Sequence, residues 1–154
     1  MSAEPHDPSA LEDHLGYWLR FVSNHVSQAF RLEVEACGVS VSEWVVLREL
    51  FAPGSGSPGA LVRSLGMTKG AVSKLVDRLE SKGLATRAID EGDRRQQVVR
   101  LTARGRALVP RLARLADDND AHFFGHLSPE LRATLMAAMR QIVAHHHLHT
   151  APIE

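Results

Sequence analysis

Eleven cations lie between Leu61 and Arg106: Arg63, Lys69, Lys74, Arg78, Lys82, Arg87, Arg94, Arg95, Arg100, Arg104 and Arg106. Five acids share the stretch, Asp77, Glu80, Asp90, Glu91 and Asp93, leaving a surplus of six positive charges. The whole chain is neutral, with 18 Lys and Arg against 18 Asp and Glu, so the flanks carry the compensating negative surplus. A basic centre between acidic flanks suits a molecule that grips a polyanion with one part and keeps the rest clear of it. Within the centre, Thr68, Lys69, Ser73, Lys74 and Arg78 combine hydroxyls with long cations, and Arg94 and Arg95 are adjacent. Lys and Arg on such a surface contact phosphate, and small residues allow a backbone to come close to base edges.

Other chemistry is thinly represented. There is no P-loop, Gly-x-Ser-x-Gly, His-Glu-x-x-His or dinucleotide glycine pattern, so no enzyme and no cofactor are expected. Cys37 is the single cysteine, which excludes an internal disulfide and a cysteine-based zinc cluster and leaves a redox-sensing thiol as the minor alternative to inert packing. Nine histidines include His145, His146, His147 and His149, a run interrupted by Leu148 that offers a metal site only as an alternative to a solvated helix end. His14 and His25 lack carboxylate or cysteine partners at ligand spacing, and Asp117 to Asp120 reads as a solvated helix face.

The positioning elements follow from periodicity and caps. At 154 residues and 44% hydrophobic the chain is long enough for one core, and its low aromatic fraction of 5% with abundant Ala and Leu leans helical. No apolar run reaches a membrane span, and Met1 to Ser9 lacks the basic start and apolar core of a leader. A first helix of roughly 28 residues is expected from a Ser9–Glu12 capping box through Leu11, Leu15, Trp18, Val22, Val26, Ala29 and Leu32 to Gly38. Ser40 and Glu43 cap a second helix, and Pro53 to Gly56 reads as a loop. Ser57 and Pro58 open a short third helix. Thr68 opens a fourth, in which Val72, Leu75, Val76 and Leu79 face inward and Gly70, Ser73, Lys74, Asp77, Arg78 and Ser81 face out.

Leu84–Ile89 and Gln97–Leu101 predict a β-hairpin with a charged tip. Thr102 starts a fifth helix, in which Pro110 predicts a kink or the true start. Ser128-Pro129-Glu130 opens a sixth, and the tail from His145 is expected to fray. The fold class is therefore mainly α with a small hairpin, in winged helix-turn-helix order between helical arms. The expected division is 1–38 and 102–154 for the helical arms and 39–101 for the winged helix-turn-helix region.

Four pieces in this order resemble the MarR family of bacterial transcription regulators: Met67 to Leu84, Asp93-Arg94-Arg95, Val99 to Gly105, and Leu47-Arg48-Glu49-Leu50. The likeness spans about residues 10–145. It implies a homodimer interlocked through the first, fifth and sixth helices, usually a repressor, with two recognition helices on a pseudo-palindromic double-stranded DNA operator. The resemblance places Arg94 in the minor groove with Asp93 helping to hold it, and Arg95 on phosphate. It puts Thr68, Lys69, Ser73, Lys74 and Arg78 on the recognition helix, with Arg63 and Lys82 in reach of phosphate. A peroxide-sensing cysteine of the family would fall at Gly16, not at Cys37.

The resemblance further implies a small-molecule effector, an aromatic acid or phenol, for which Tyr17, Trp18, Phe21, Trp44 and Arg48, with Arg20, are the pocket candidates against a plain reading as core and interface. Work in the cytoplasm without a membrane partner follows from a DNA target. Two alternatives remain at this level: a winged-helix interaction module that no longer binds DNA, and a regulator answering to metal or redox state.

Overall fold

In the computed structural model, which describes residues 7–149, six α-helices surround one small antiparallel sheet. The readings of the first six residues and of the chain end after His149 fall outside the described residues. A 3-10 turn, Leu11–Asp13, precedes α1, Leu15–Ala36. The long first helix expected from the sequence is thus divided. The Asp13 carboxylate accepts the Ala10 N–H at 3.0 Å, and Ser9 Oγ faces the His14 ring instead of the Glu12 N–H. His14 then sits in an extended conformation between turn and helix. The Trp18 indole N–H donates to the Glu12 carbonyl at 2.9 Å and ties the turn to α1. Gly38, at φ 88°, takes the left-handed position after the end of α1.

The caps read from the sequence recur from here on. Ser40 Oγ accepts the Glu43 N–H and the Glu43 carboxylate accepts the Ser40 N–H, starting α2, Val41–Phe51. Ser57 caps α3, Pro58–Leu65, Thr68 caps α4, Lys69–Ser81, Thr102 caps α5, Ala103–Phe124, and Ser128 caps α6, Pro129–His145. Pro110 neither starts nor ends α5; it lies inside one continuous helix. Pro110 and Arg106, whose carbonyl loses its intrahelical donor, are both exposed residues.

The loop after α2 holds a two-residue strand, β1 (Ser55–Gly56), that the sequence reading missed. With β2, Ala85–Ile89, and β3, Gln97–Leu101, it forms a sheet of order β1-β3-β2. The hairpin register runs from Ala85 opposite Leu101 to Ile89 opposite Gln97.

The core lies among α2, α3, α4 and the sheet: Val46, Leu47, Leu50, Leu61, Val72, Val76, Leu79 and Val99 are almost fully buried. Val34 of α1 and Val109 and Leu112 of α5 extend it into the long helices, while α6 contributes nothing buried. Gly105 lets α5 press on the chain entering β2, because a Cβ there would overlap the Leu84 carbonyl. That same carbonyl accepts the Thr102 N–H at 3.1 Å.

Candidate nucleic-acid interface

The fourth helix divides cleanly. Val72, Leu75, Val76 and Leu79 are buried, and Thr68, Lys69, Gly70, Ser73, Lys74, Asp77, Arg78 and Ser81 are exposed. Thr68 spends one lone pair on the Ala71 N–H at 3.2 Å. Among the described residues, the side chains of Lys69, Lys74 and Arg78 have no hydrogen-bond or ion-pair partner, and neither does Arg63 on exposed α3 surface. These cations are free to meet phosphate or base edges.

The hairpin tip is organised by its two aspartates. Asp90 accepts the Gly92 N–H at 3.1 Å, and Asp93 accepts the Arg95 N–H at 3.0 Å. The backbone of Asp90 donates to the Gln96 carbonyl at 2.9 Å, and that of Gln96 to the Asp93 carbonyl at 3.0 Å. Asp93 therefore holds the turn that carries Arg94 and Arg95. Arg94 and Arg95 are exposed on a tip whose backbone is fixed.

Two cations of the basic centre have other tasks. Lys82, at the C-cap of α4, donates to Glu43 Oε2 at 2.7 Å and to the Gly38 carbonyl at 2.9 Å. Glu43 is only 2% exposed, so its charge needs that partner. Lys82, expected near phosphate, is engaged on the joint between α1, α2 and α4. Arg87 of β2, not singled out from the sequence, clamps α4. Its Nη1 pairs with Asp77 and lies 3.3 Å from Glu80 Oε1, and its Nη2 donates to the Ser73 carbonyl at 3.0 Å. The one available signal is strand alternation: Arg87 shares a face with buried Ala85.

The five pocket candidates do not converge within one chain. Tyr17, Trp18 and Phe21 cluster on α1, with Tyr17 and Trp18 edge to face at 5.2 Å between centroids, and Trp18 and Phe21 are about half exposed. Trp44 is part of the core, and Arg48 is exposed on α2. Arg20 is exposed on α1. His14 and His25 bond to main-chain carbonyls within their own segments. Among the described residues no three His, Cys, Asp or Glu side chains converge as metal ligands, the run His145 to His149 included. Asp120 of the acidic run pairs with Arg132 at 2.7 Å, linking α5 to α6. No helix of the described residues is long and apolar enough to cross a membrane.

Comparison with known proteins places this geometry. Residues 38–96 match the MarR family. The transcriptional regulator HosA of Escherichia coli is 26% identical over 113 residues, covering 73% of this chain and 84% of HosA. The HTH-type transcriptional repressor NicR of Pseudomonas putida is 25% identical over 138 residues, covering 88% of this chain and 86% of NicR. Among solved structures, Bordetella bronchiseptica BpsR superposes with a TM-score of 0.75 at 26% identity, over 88% of this chain and 97% of BpsR. That structure concerns regulation of BpsR DNA binding by 6-hydroxynicotinic acid. The winged helix-turn-helix with its exposed basic face is thus similar to transcriptional regulators over most of its length, and its middle, residues 38–96, matches the MarR family.

Proposed function

We propose that the chain acts as a homodimeric, effector-responsive repressor on a pseudo-palindromic operator. The carrying observation is the pair of basic surfaces without partners among the described residues, the outer face of α4 and the wing tip. In this reading α4 lies in the major groove with Thr68, Lys69, Ser73, Lys74 and Arg78 toward the DNA. Arg94 enters the minor groove, whose narrow stretches attract arginine, while Arg95 and Arg63 take phosphates. Lys82 is left out because its ammonium serves Glu43.

The second copy is supported by two apolar stripes that one chain leaves uncovered. Leu15, Trp18 and Val22 at the start of α1, with Leu11 of the preceding turn, form one, and Leu131, Leu135, Met139 and Ile142 form the other on α6. Each is 38–79% exposed, more apolar surface than a lone soluble chain usually carries. Two-fold pairing of these stripes sets two reading heads on one operator. An aromatic acid or phenol is the effector class, supported by the 6-hydroxynicotinic acid that regulates BpsR. It acts by favouring one spacing of the heads over another. The protein is then a binding protein with no catalytic step, working in the cytoplasm where its DNA is.

The test is binding to the DNA flanking the protein's own gene across a salt series, for wild type and Arg94→Ala. Salt-steep binding that Arg94→Ala weakens about tenfold or more supports the reading. Binding without sequence preference, or an Arg94→Ala protein as tight as wild type, overturns it in favour of an interaction module.

A further inference from the structure

Arg104 and Arg106 belong to the basic centre but lie on α5, off both the outer face of α4 and the wing tip. Both are exposed, and among the described residues neither joins an ion pair. Each rests instead on the C-terminal end of a helix in the winged head. Arg104 Nη1 donates a long 3.4 Å bond to the Lys82 carbonyl at the C-cap of α4. It lies beside Gly83, which turns the chain away at φ 70°. The Arg106 guanidinium stands 5.6 Å over the ring of Phe51, the last residue of α2, and beside Gly54 at φ 78°. A Cβ at Gly54 would meet Arg106 Nη2 at 3.0 Å, and one at Gly83 would meet Arg104 Nη1 at 3.4 Å, so each glycine leaves the room its guanidinium takes. The two sites are alike: a helix end, a glycine in the left-handed region, and a cation from the first turn of α5 against the negative end of the helix dipole. Thr102, just before that turn, ties it further to the end of α4 by donating its hydroxyl to the Gly83 carbonyl at 2.7 Å.

We infer that Arg104 and Arg106 are positioning residues for DNA reading: together they seat one turn of α5 on the ends of α4 and α2 and fix the tilt of α4 against α2. The inference deepens the regulator reading and rests on it for taking α4 as the helix that meets DNA. Tilt matters because α4 is a long lever. From Lys69 to Ser81 it spans about 18 Å, so a tilt of about 10° about its C-terminal end carries Lys69 about 3 Å, the length of a hydrogen bond. Contacts to base edges are lost over such a distance, whereas flexible cations follow the phosphates and keep theirs. The two arginines therefore govern the preference for one sequence over another, not the attraction to DNA as such.

The test uses the whole chain with Arg104→Gln, Arg106→Gln and the two together, and Arg114→Gln, an exposed cation about two turns further along α5, as the control. Residual dipolar couplings of the backbone amides, recorded without DNA, give the angle between α4 and α2. It should change in the double variant and keep its wild-type value in Arg114→Gln, with the couplings inside each helix still fitting an unbroken helix. Each single variant should shift it in the same direction by less. On the duplex flanking the protein's own gene the double variant should bind about tenfold more weakly, and on a scrambled duplex of the same composition about as tightly as wild type. The slope of log affinity against log salt should not change, since neither arginine meets phosphate. An unchanged angle in the double variant, wild-type affinity for the flanking duplex, or a slope lower by about 1 per arginine overturns the inference, the last by making these cations DNA contacts. A wild type that prefers neither duplex overturns the regulator reading itself, while the angle, read without DNA, still shows whether the two arginines set the tilt.

Discussion

The DNA-reading head and the helical arms bury apolar side chains on different terms. In the head, Leu47, Val46, Val72, Val76, Leu79 and Val99 are 0% exposed, closed in by α2, α3, α4 and the sheet of one chain. Along α6, Leu131, Leu135, Met136, Met139, Ile142 and Val143 are 38–53% exposed, and the helix meets the rest of the chain sparsely, through contacts such as the Arg132–Asp120 ion pair. Fully burying such a side chain contributes about 1.5–3 kcal/mol, so the head is stabilised from within, while most of that energy along the arms is not realised within one chain. In the proposed dimer this division has a use: the contact surface stays rigid while the spacing between two heads depends on how the arms pair.

The comparison breaks most visibly under the same deletion made in each region. Leu47→Ala should cost about 3 kcal/mol by urea denaturation, because a fully enclosed site leaves a cavity. Leu135→Ala removes the same atoms from a side chain 40% exposed in the single chain, where surface changes usually stay within about 0.5 kcal/mol. Across paired arms it should instead cost about 2 kcal/mol per protomer and lower the urea midpoint throughout a protein dilution series. An unchanged dilution series for Leu135→Ala would remove α6 from the dimer contact. Next in size is the junction. Gly105→Ala gains about 1 kcal/mol of helix propensity but drives a Cβ into the Leu84 backbone carbonyl, which has no rotamer to escape to. A net loss of about 2 kcal/mol in the same assay is expected.

Much of the fold was legible because its signals are local. Ser40–Glu43, Ser57-Pro58, Thr68, Thr102 and Ser128 each cap within three residues, and the buried face of α4 repeats every three to four. What escaped depends on distant partners. β1 is two residues long and too short for any alternation; it exists because β3 offers Val99 and Arg100 to pair with it. The task of Lys82 is set by Glu43, 39 residues earlier, and that of Arg87 by a helix folded across it. The first helix breaks because Asp13 outcompetes Glu12 for the turn, a choice between neighbouring acids that the Ser-x-x-Glu spacing does not register. Trp44 shares its aromatic character with Tyr17 and Phe21, but only the packing of α2 assigns it to the core.

The joint at Lys82 gives a smaller effect and sharpens the comparison. Lys82→Met leaves Glu43 with only its Ser40 N–H, yet the lysine side chain is 38% exposed, so water reaches the pair and the loss should be about 1–2 kcal/mol. Adding Glu43→Gln to Lys82→Met should recover part of it, since the uncompensated charge goes with the carboxylate. If the single substitution costs nothing by urea denaturation, the joint is not held by this pair.

The smallest expected change in stability separates positioning from contact within the head itself. Arg87→Ala should cost about 1 kcal/mol, because its ion pairs with Asp77 and Glu80 are partly solvated, while its bond to the Ser73 carbonyl is one of several that hold α4. DNA affinity should nevertheless fall, since Asp77 and Glu80 lose their neutralising partner on or beside the outward face of the recognition helix. Arg94→Ala removes a similar charge with no change in stability. The salt series distinguishes them. A phosphate or groove contact released with Arg94 lowers the slope of log affinity against log salt by about 1. Arg87 touches protein instead of DNA, so Arg87→Ala should weaken binding at every salt concentration with the slope unchanged. Arg87→Lys should not restore it, because an ammonium cannot bridge Ser73 and Asp77 as the guanidinium fork does. A slope that falls for Arg87→Ala as it does for Arg94→Ala would make Arg87 a DNA contact, and the clamp across α4 would then be a resting position that the operator displaces.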